Sequence, residues 1–253
     1  MPEESVKGLA LALSWLTVLP VRGPEQVDRR AATGAIAWAP VVGVLLGAGA
    51  VAVMWVLAVA GAAPPLAGLV GVATLALGTR GMHIDGLADT MDGLGSYGPP
   101  ERAREIMKSG GAGPFGVAAL VFVIGIQAVA FAALVDAQRW LAVVVAVAVG
   151  RVAVVLACRS GIDAAPGAGF GALVAGTQRR AIGFAWAAVA LVAAGFVTDA
   201  WWLGPVAVGA ALATATVLVR HAVRRFGGLN GDVLGAAVEM ATTVAVAVSS
   251  FAV

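Results

Sequence analysis

The chain has one cysteine, one tyrosine and two histidines in 253 residues, and only 12% of its residues are charged. A lone Cys158 excludes an internal disulfide and any cysteine-based zinc site; set in an apolar run, it reads as packing. So little charge excludes an ordinary soluble globule, because 60% of the residues are hydrophobic and the mean hydropathy is +0.96. The net charge is only +2, so the pI of 9.2 says little about nucleic acid. No linker or low-complexity break divides the chain, which reads as a single integral membrane domain over residues 1–253. Its first residues are acidic and no small-residue cleavage site follows the first apolar stretch, so no cleaved leader is expected.

What is present is a series of apolar runs. Residues 5–19 span only about 22 Å as a helix, short of the ~30 Å hydrocarbon core, so an interfacial or re-entrant helix is expected before Pro20. Spans are expected at residues 36–60, 66–78, 114–135, 140–158, 181–197, 201–219 and 233–253. The second is short and runs directly into Arg80 and an acidic stretch. This predicts one long helix, apolar first and acidic at its end, with Gly81 or Gly86 as the place for a kink. The fold class is therefore all-α, a polytopic bundle of about six to seven transmembrane helices. Fifteen of the sixteen Lys and Arg fall on one side of the alternation and Arg139 alone on the other. The positive-inside rule makes the crowded side cytoplasmic.

The polar residues concentrate in two motifs. The first is Gly81-Met82-His83-Ile84-Asp85-Gly86-Leu87-Ala88-Asp89-Thr90-Met91-Asp92-Gly93-Leu94-Gly95. Asp85, Asp89 and Asp92 stand at i, i+4 and i+7, within about 60° of one another on a helix. A carboxylate near a bilayer costs about 2–3 kcal/mol, and like charges on one stripe repel. A cation should offset this, and hard divalent ions such as Mg²⁺ prefer oxygen ligands; a solvated acidic loop is the plainer alternative. The second motif, residues 227–239, sets Asp232 and Glu239 two turns apart on one face. Glu239 lies inside an apolar run, where an acid is a functional candidate or the partner of a nearby arginine. Five carboxylates could thus converge on a pocket for one or two divalent ions.

A cationic set shares that side: Arg102, Arg104, Lys108, Arg151, Arg159, Arg179, Arg180, Arg224 and Arg225. Guanidinium groups beside Mg²⁺ suit a diphosphate, although many of these arginines would simply touch lipid headgroups. Lys108 and Arg151 are the first choices as ligands, each next to a glycine-rich turn or a helix end. Residues 110–116, with four glycines, could present backbone N–H groups to phosphate. His83 is off the carboxylate face and reads either as a proton acceptor or phosphate donor, or as a structural hydrogen bond. His221 reads as interfacial.

The residues alone stop at Mg²⁺-dependent transfer of a nucleotide-linked phosphoryl group in a membrane. The Asp-x3-Asp-x2-Asp spacing is reminiscent of CDP-alcohol phosphotransferases, but those carry Ala-Arg where this chain has Leu87-Ala88. A cation-coupled transporter should place its acids near the midplane, often with inverted repeats; here they cluster at one face and no repeat is seen.

The chain resembles cobalamin synthase, the adenosylcobinamide-GDP ribazoletransferase family, over nearly its whole length. The resemblance begins at Leu16-Thr17-Val18-Leu19-Pro20-Val21 and Trp38-Ala39-Pro40-Val41-Val42-Gly43 and is strongest at residues 83–93. It continues at Glu105-Ile106-Met107-Lys108 with Gly113-Pro114-Phe115-Gly116 and closes with residues 227–239. It implies attack by α-ribazole or its 5′-phosphate on adenosylcobinamide-GDP, with release of GMP, in a multi-pass bacterial inner-membrane protein whose site faces the cytoplasm. It implies Mg²⁺ on Asp85, Asp89, Asp92 and Asp232, with Asp92, Glu239 and His83 as catalytic candidates. Lys108, Arg151, Arg104, Arg224, Gly113 and Gly228 are the substrate-binding candidates. Small-molecule substrates and the bilayer are the expected partners, with no nucleic acid; a homo-oligomer stays open. One departure stands out. After Met107-Lys108 the family usually has Asp-Ser-Arg, and this chain has Ser109-Gly110-Gly111; either the missing carboxylate and arginine are not essential, or neighbours such as Glu105 and Arg104 stand in, or this copy is impaired.

Overall fold

The computed structural model describes residues 2–24 and 26–252. Among them the chain folds into eleven α-helices with no strand: α1 Pro2–Leu16, α2 Arg29–Val59, α3 Pro64–Gly78, α4 Met82–Gly95, α5 Pro100–Met107, α6 Pro114–Asp136, α7 Trp140–Ala157, α8 Phe170–Val174, α9 Arg180–Ala194, α10 Leu203–Phe226 and α11 Gly231–Ser249. Their ends follow local chemistry. Proline, which needs no donor in the first turn, opens α3, α5 and α6. The side chains of Asp28 and Asn230 accept N–H bonds at the starts of α2 and α11. Gly227, left-handed at φ 76°, stops α10.

Five helices, α2, α6, α7, α10 and α11, are long and apolar enough to cross a membrane, and α3 with α4 makes a sixth if the bent pair is one span. The chain is therefore an all-α, multi-pass bundle. Two expectations change. Helix α9, expected to span, has only 15 residues and reaches about 22 Å. The last α-helix ends at Ser249 rather than running on to Val253, which lies outside the described residues.

Helices α7 and α11 are the most enclosed of the spans, while α2 and α6 turn exposed Val56, Phe122 and Val129 outward, as a lipid-facing belt requires. Close packing comes from small residues rather than large rings. A methyl on Gly43 or Gly47 would come within 2.8 or 2.9 Å of the α7 backbone, so α2 and α7 meet backbone to backbone.

The expected long second helix is instead two helices that meet at 91°. Arg80 and Gly81, at φ 57° and 72°, are both left-handed, and two such residues in succession turn the chain sharply. The Arg80 conformation is held from outside: its guanidinium donates to the carbonyls of Ser14 (3.1 Å) and Trp15 (3.0 Å) at the end of α1. Gly86 does not kink α4; it is buried inside an unbroken helix. Arg139 pairs with Asp199 across the opposite end of the bundle, away from the acidic motifs.

Candidate active site

Helices α4 and α11 run antiparallel at van der Waals contact because each contributes a glycine. A methyl on Gly86 would come within 2.9 Å of Asp232 Cα, and one on Gly235 within 3.2 Å of His83 Cα. These contacts set Asp85 and Asp232 at the mouth of a cleft of about 350 Å³. His83, Asp85 and Asp232 form its polar side; Trp15, Ile36 and Phe170 are among the residues of its apolar wall. The Trp15 and Phe170 rings meet edge to face, with centroids 5.0 Å apart.

Each part of the wall is fixed by a polar contact. Arg80 holds Trp15 by its carbonyl. Phe170 opens α8 in the long loop after α7, which is fastened by Arg29 to the carbonyls of Ala172 and Ala175. Backbone bonds from Ala165 N to Leu229 O (2.9 Å) and from Leu229 N to Asp163 O (2.8 Å) join that loop to the turn before α11.

Asp85 is exposed, and Asp89 and Asp232 are half-buried. Among the described residues none of the three has a hydrogen bond or an ion pair. Asp89 nevertheless lies in the field of Asp85, Asp232 and Asp92, and Asp232 in that of Asp85 and Lys108. Lys108 is exposed, at the end of α5, with Nζ beside Gly167. The acids thus gather, but among the described residues no three Asp, Glu, His or Cys side chains stand close enough to hold one metal ion.

Several expected site residues are engaged elsewhere. Asp92, expected as metal ligand or base, accepts from Gly113 N at 2.6 Å and Gly116 N at 2.9 Å, capping the start of α6 with both oxygens. Gly113 therefore spends on Asp92 the N–H expected to bind phosphate. Gly228 N donates to Val223 O, and its α-carbon is pressed against the backbone of Ala164 and Ala165, leaving no room for a phosphate. Glu239 accepts from Gln127 Nε2 at 2.8 Å and lies in the field of Arg151, outside the cleft lining.

Arg151, expected as a phosphate ligand, is only 3% exposed. Its Nη1 donates to Val147 O and its Nη2 meets His83 Nδ1 at 3.4 Å, while Nε has no partner. Since a guanidinium only donates, Nδ1 of His83 accepts and the ring proton sits on Nε2. In that tautomer His83, part of the cleft lining, carries a donor at Nε2. Arg104 donates to Phe226 O and Glu101, both at 2.8 Å, and Glu105 pairs with Arg102 at the exposed surface. Arg224 is exposed on α10 and does not line the cleft.

The apolar wall and Gln127 were not among the sequence candidates. The only signal for the wall was Gly169-Phe170-Gly171; an isolated Trp15 or Gln127 in apolar sequence carries none.

The family model described as CobS, cobalamin-5-phosphate synthase, matches residues 8–250. Among curated relatives, an adenosylcobinamide-GDP ribazoletransferase of Corynebacterium efficiens is 38% identical, covering 94% of this chain and 89% of its own. One of Frankia casuarinae is 40% identical over 90% of this chain and 89% of its own, and one of Nocardioides sp. is 41% identical over 91% and 92%. No solved structure matches the chain significantly. The match runs through both acidic helices, the glycine contacts between them and the loops that wall the cleft, and on that extent the chain belongs to the cobalamin-5-phosphate synthase family.

Proposed function

We propose that the protein is an adenosylcobinamide-GDP ribazoletransferase. A ribose hydroxyl of α-ribazole or of its 5′-phosphate attacks the cobinamide-side phosphorus of adenosylcobinamide-GDP. The phosphoanhydride bond breaks, GMP leaves with the bonding electron pair, and adenosylcobalamin or its 5′-phosphate forms. The observation that carries this reading is the pairing, in one cleft, of unpartnered carboxylates with an aromatic wall, in a chain of this family. Anionic diphosphate chemistry needs the first and the planar dimethylbenzimidazole of α-ribazole suits the second.

Mg²⁺ fits the donor set. Asp85, Asp89 and Asp232 offer hard oxygens, come from two helices in backbone contact and have no cationic partner within ion-pair distance among the described residues. One or two of these carboxylates, completed by water and substrate phosphate oxygens, would hold the ion, since among the described residues no three stand close enough to share it; Asp92, whose oxygens each accept a backbone N–H, caps α6. Bound there, Mg²⁺ supplies positive charge to the diphosphate and the departing GMP. Lys108, whose charge acts on Asp232, binds a diphosphate oxygen. His83 donates its Nε2 proton as a hydrogen bond to a phosphate oxygen. With Asp92 and Glu239 engaged, a rim carboxylate takes the proton of the attacking hydroxyl. The positive-inside rule supports a cytoplasmic orientation for this end in the bacterial inner membrane.

The test is GMP release by the full chain in lipid nanodiscs, given adenosylcobinamide-GDP and α-ribazole 5′-phosphate, with Mg²⁺ and then with EDTA. GMP should form only with Mg²⁺ and should be lost in Asp232→Asn. GMP release that persists in EDTA would remove the metal from this reading. Its absence under every condition, in protein that binds both substrates, would remove the reaction.

A further inference from the structure

On the far side of α7 from the cleft, where the basic end meets the lipid belt, α7, α9 and α10 enclose a pocket of about 280 Å³. Four arginines line it, Arg159, Arg179, Arg180 and Arg220, above an apolar floor that includes Leu156 and Phe184. It shares no residue with the cleft: α7 gives Val154 to the cleft and Val155 and Leu156 to the pocket.

The arginines are held together rather than scattered. Arg159 and Arg179 flank the base of the long loop, which Ser160 N to Gln178 O (2.8 Å) and Gln178 N to Cys158 O (3.0 Å) close into a fixed pair. Arg180 opens α9, whose N-terminus no side chain caps. Arg220 reaches in from α10, more than a turn before its end at Phe226. Among the described residues no carboxylate pairs with any of the four, and their one side-chain hydrogen bond runs from Arg159 Nη1 to Leu156 O at 3.0 Å. Burial and the charges of Arg220 and Arg180 push the Arg159 pKa below its ordinary value. Four like charges in one pocket call for an anion. Two features fix its class. The guanidinium cluster with an uncapped helix N-terminus suits a phosphate. The floor opens onto Phe184, 67% exposed on the short apolar helix α9, which suits acyl chains and not a water-borne ion.

We propose that this pocket binds the phosphodiester headgroup of an anionic membrane phospholipid. The headgroup phosphate sits among Arg159, Arg180 and Arg220, and the acyl chains run down past Leu156 and Phe184. The site ties α9, too short to span by itself, to the bilayer surface on its basic side.

The test is lipid retention by the full chain. Protein from nanodiscs of mixed phosphatidylcholine and phosphatidylglycerol is stripped under mild conditions and the retained lipid is counted by native mass spectrometry. Wild type should keep phosphatidylglycerol in preference to phosphatidylcholine. Arg159→Gln and Arg220→Gln should each lower that retention about fivefold, the factor of one cation near an anionic surface. Arg102→Gln, at an exposed ion pair elsewhere on the same end, should not change it. The charge-conserving pair Arg159→Lys with Arg220→Lys should keep most of the retention, which guards against a folding defect. Equal retention of both lipids, or full retention in the Arg→Gln variants, overturns the proposal. Displacement of phosphatidylglycerol by millimolar inorganic phosphate also overturns it, since the anion would then be soluble.

Discussion

The protein uses its intramembrane acids in two opposite ways. Asp92 and Glu239 are closed: two backbone amides satisfy one, and Gln127 with a nearby Arg151 attends the other. Asp85, Asp89 and Asp232 are open, with no partner among the described residues, and they stand at or beside a cleft walled by aromatic rings. Residue type does not separate the two groups, and neither does helix face, since Asp92 shares its stripe with Asp85. What separates them is whether the rest of the fold has already supplied the charge or the donors. A closed acid contributes to stability and an open one costs stability, so the open set marks where a ligand is expected to complete the balance.

Removing an open acid should therefore hurt turnover and spare the fold. Asp232→Asn is expected to lower GMP release by about 10²–10³-fold, the cost of losing one charge-stabilising group, while the thermal midpoint stays level or rises as repulsion is relieved. A fall in both would place Asp232 in the closed class. The next largest effect reverses the pattern. Asp92→Ala leaves the Gly113 and Gly116 amides bare and should cost about 3 kcal/mol of stability, read from the unfolding midpoint, with turnover per folded molecule preserved. Loss of turnover at unchanged stability would return Asp92 to the catalytic group. Glu239→Gln keeps an acceptor for Gln127 but removes the charge facing Arg151, so a smaller loss of about 1–3 kcal/mol is expected, again without a catalytic defect. The smallest effect sharpens the other wall. Trp15→Ala should raise KM for α-ribazole about tenfold with kcat unchanged, as loss of one aromatic face against a planar base does. A change in kcat alone would show that Trp15 positions the acids instead.

Much of this was legible in the sequence, and the boundary has a physical cause. The two acidic motifs, the all-α membrane class and the sidedness of charge follow from local periodicity and composition, which survive in any packing. The roles within the motifs do not. Nothing near Asp92 in sequence announces that residues 113 and 116, across a loop, will donate to it. The bend falls at Gly81, one of the two glycines expected to kink the helix, but Arg80 beside it is also left-handed and is held there by carbonyls sixty-five and sixty-six residues away, which no local window shows. Glycine-rich turns often donate to phosphate, but Gly113 and Gly228 each serve a tertiary contact that local sequence does not show. The apolar wall is assembled from α1, α2 and the long loop, so no single window of sequence contains it.

The cap on α6 has a consequence for descent. A methyl on Gly113 or Gly116 would collide with the Asp92 carboxylate, and loss of that carboxylate strands both amides. Neither change is neutral without the other, so positions 92, 113 and 116 are expected to vary together. A lineage leaving this arrangement has to pass through a less stable ancestor, and a library randomised at all three positions together should return aspartate with two glycines, or none of the three.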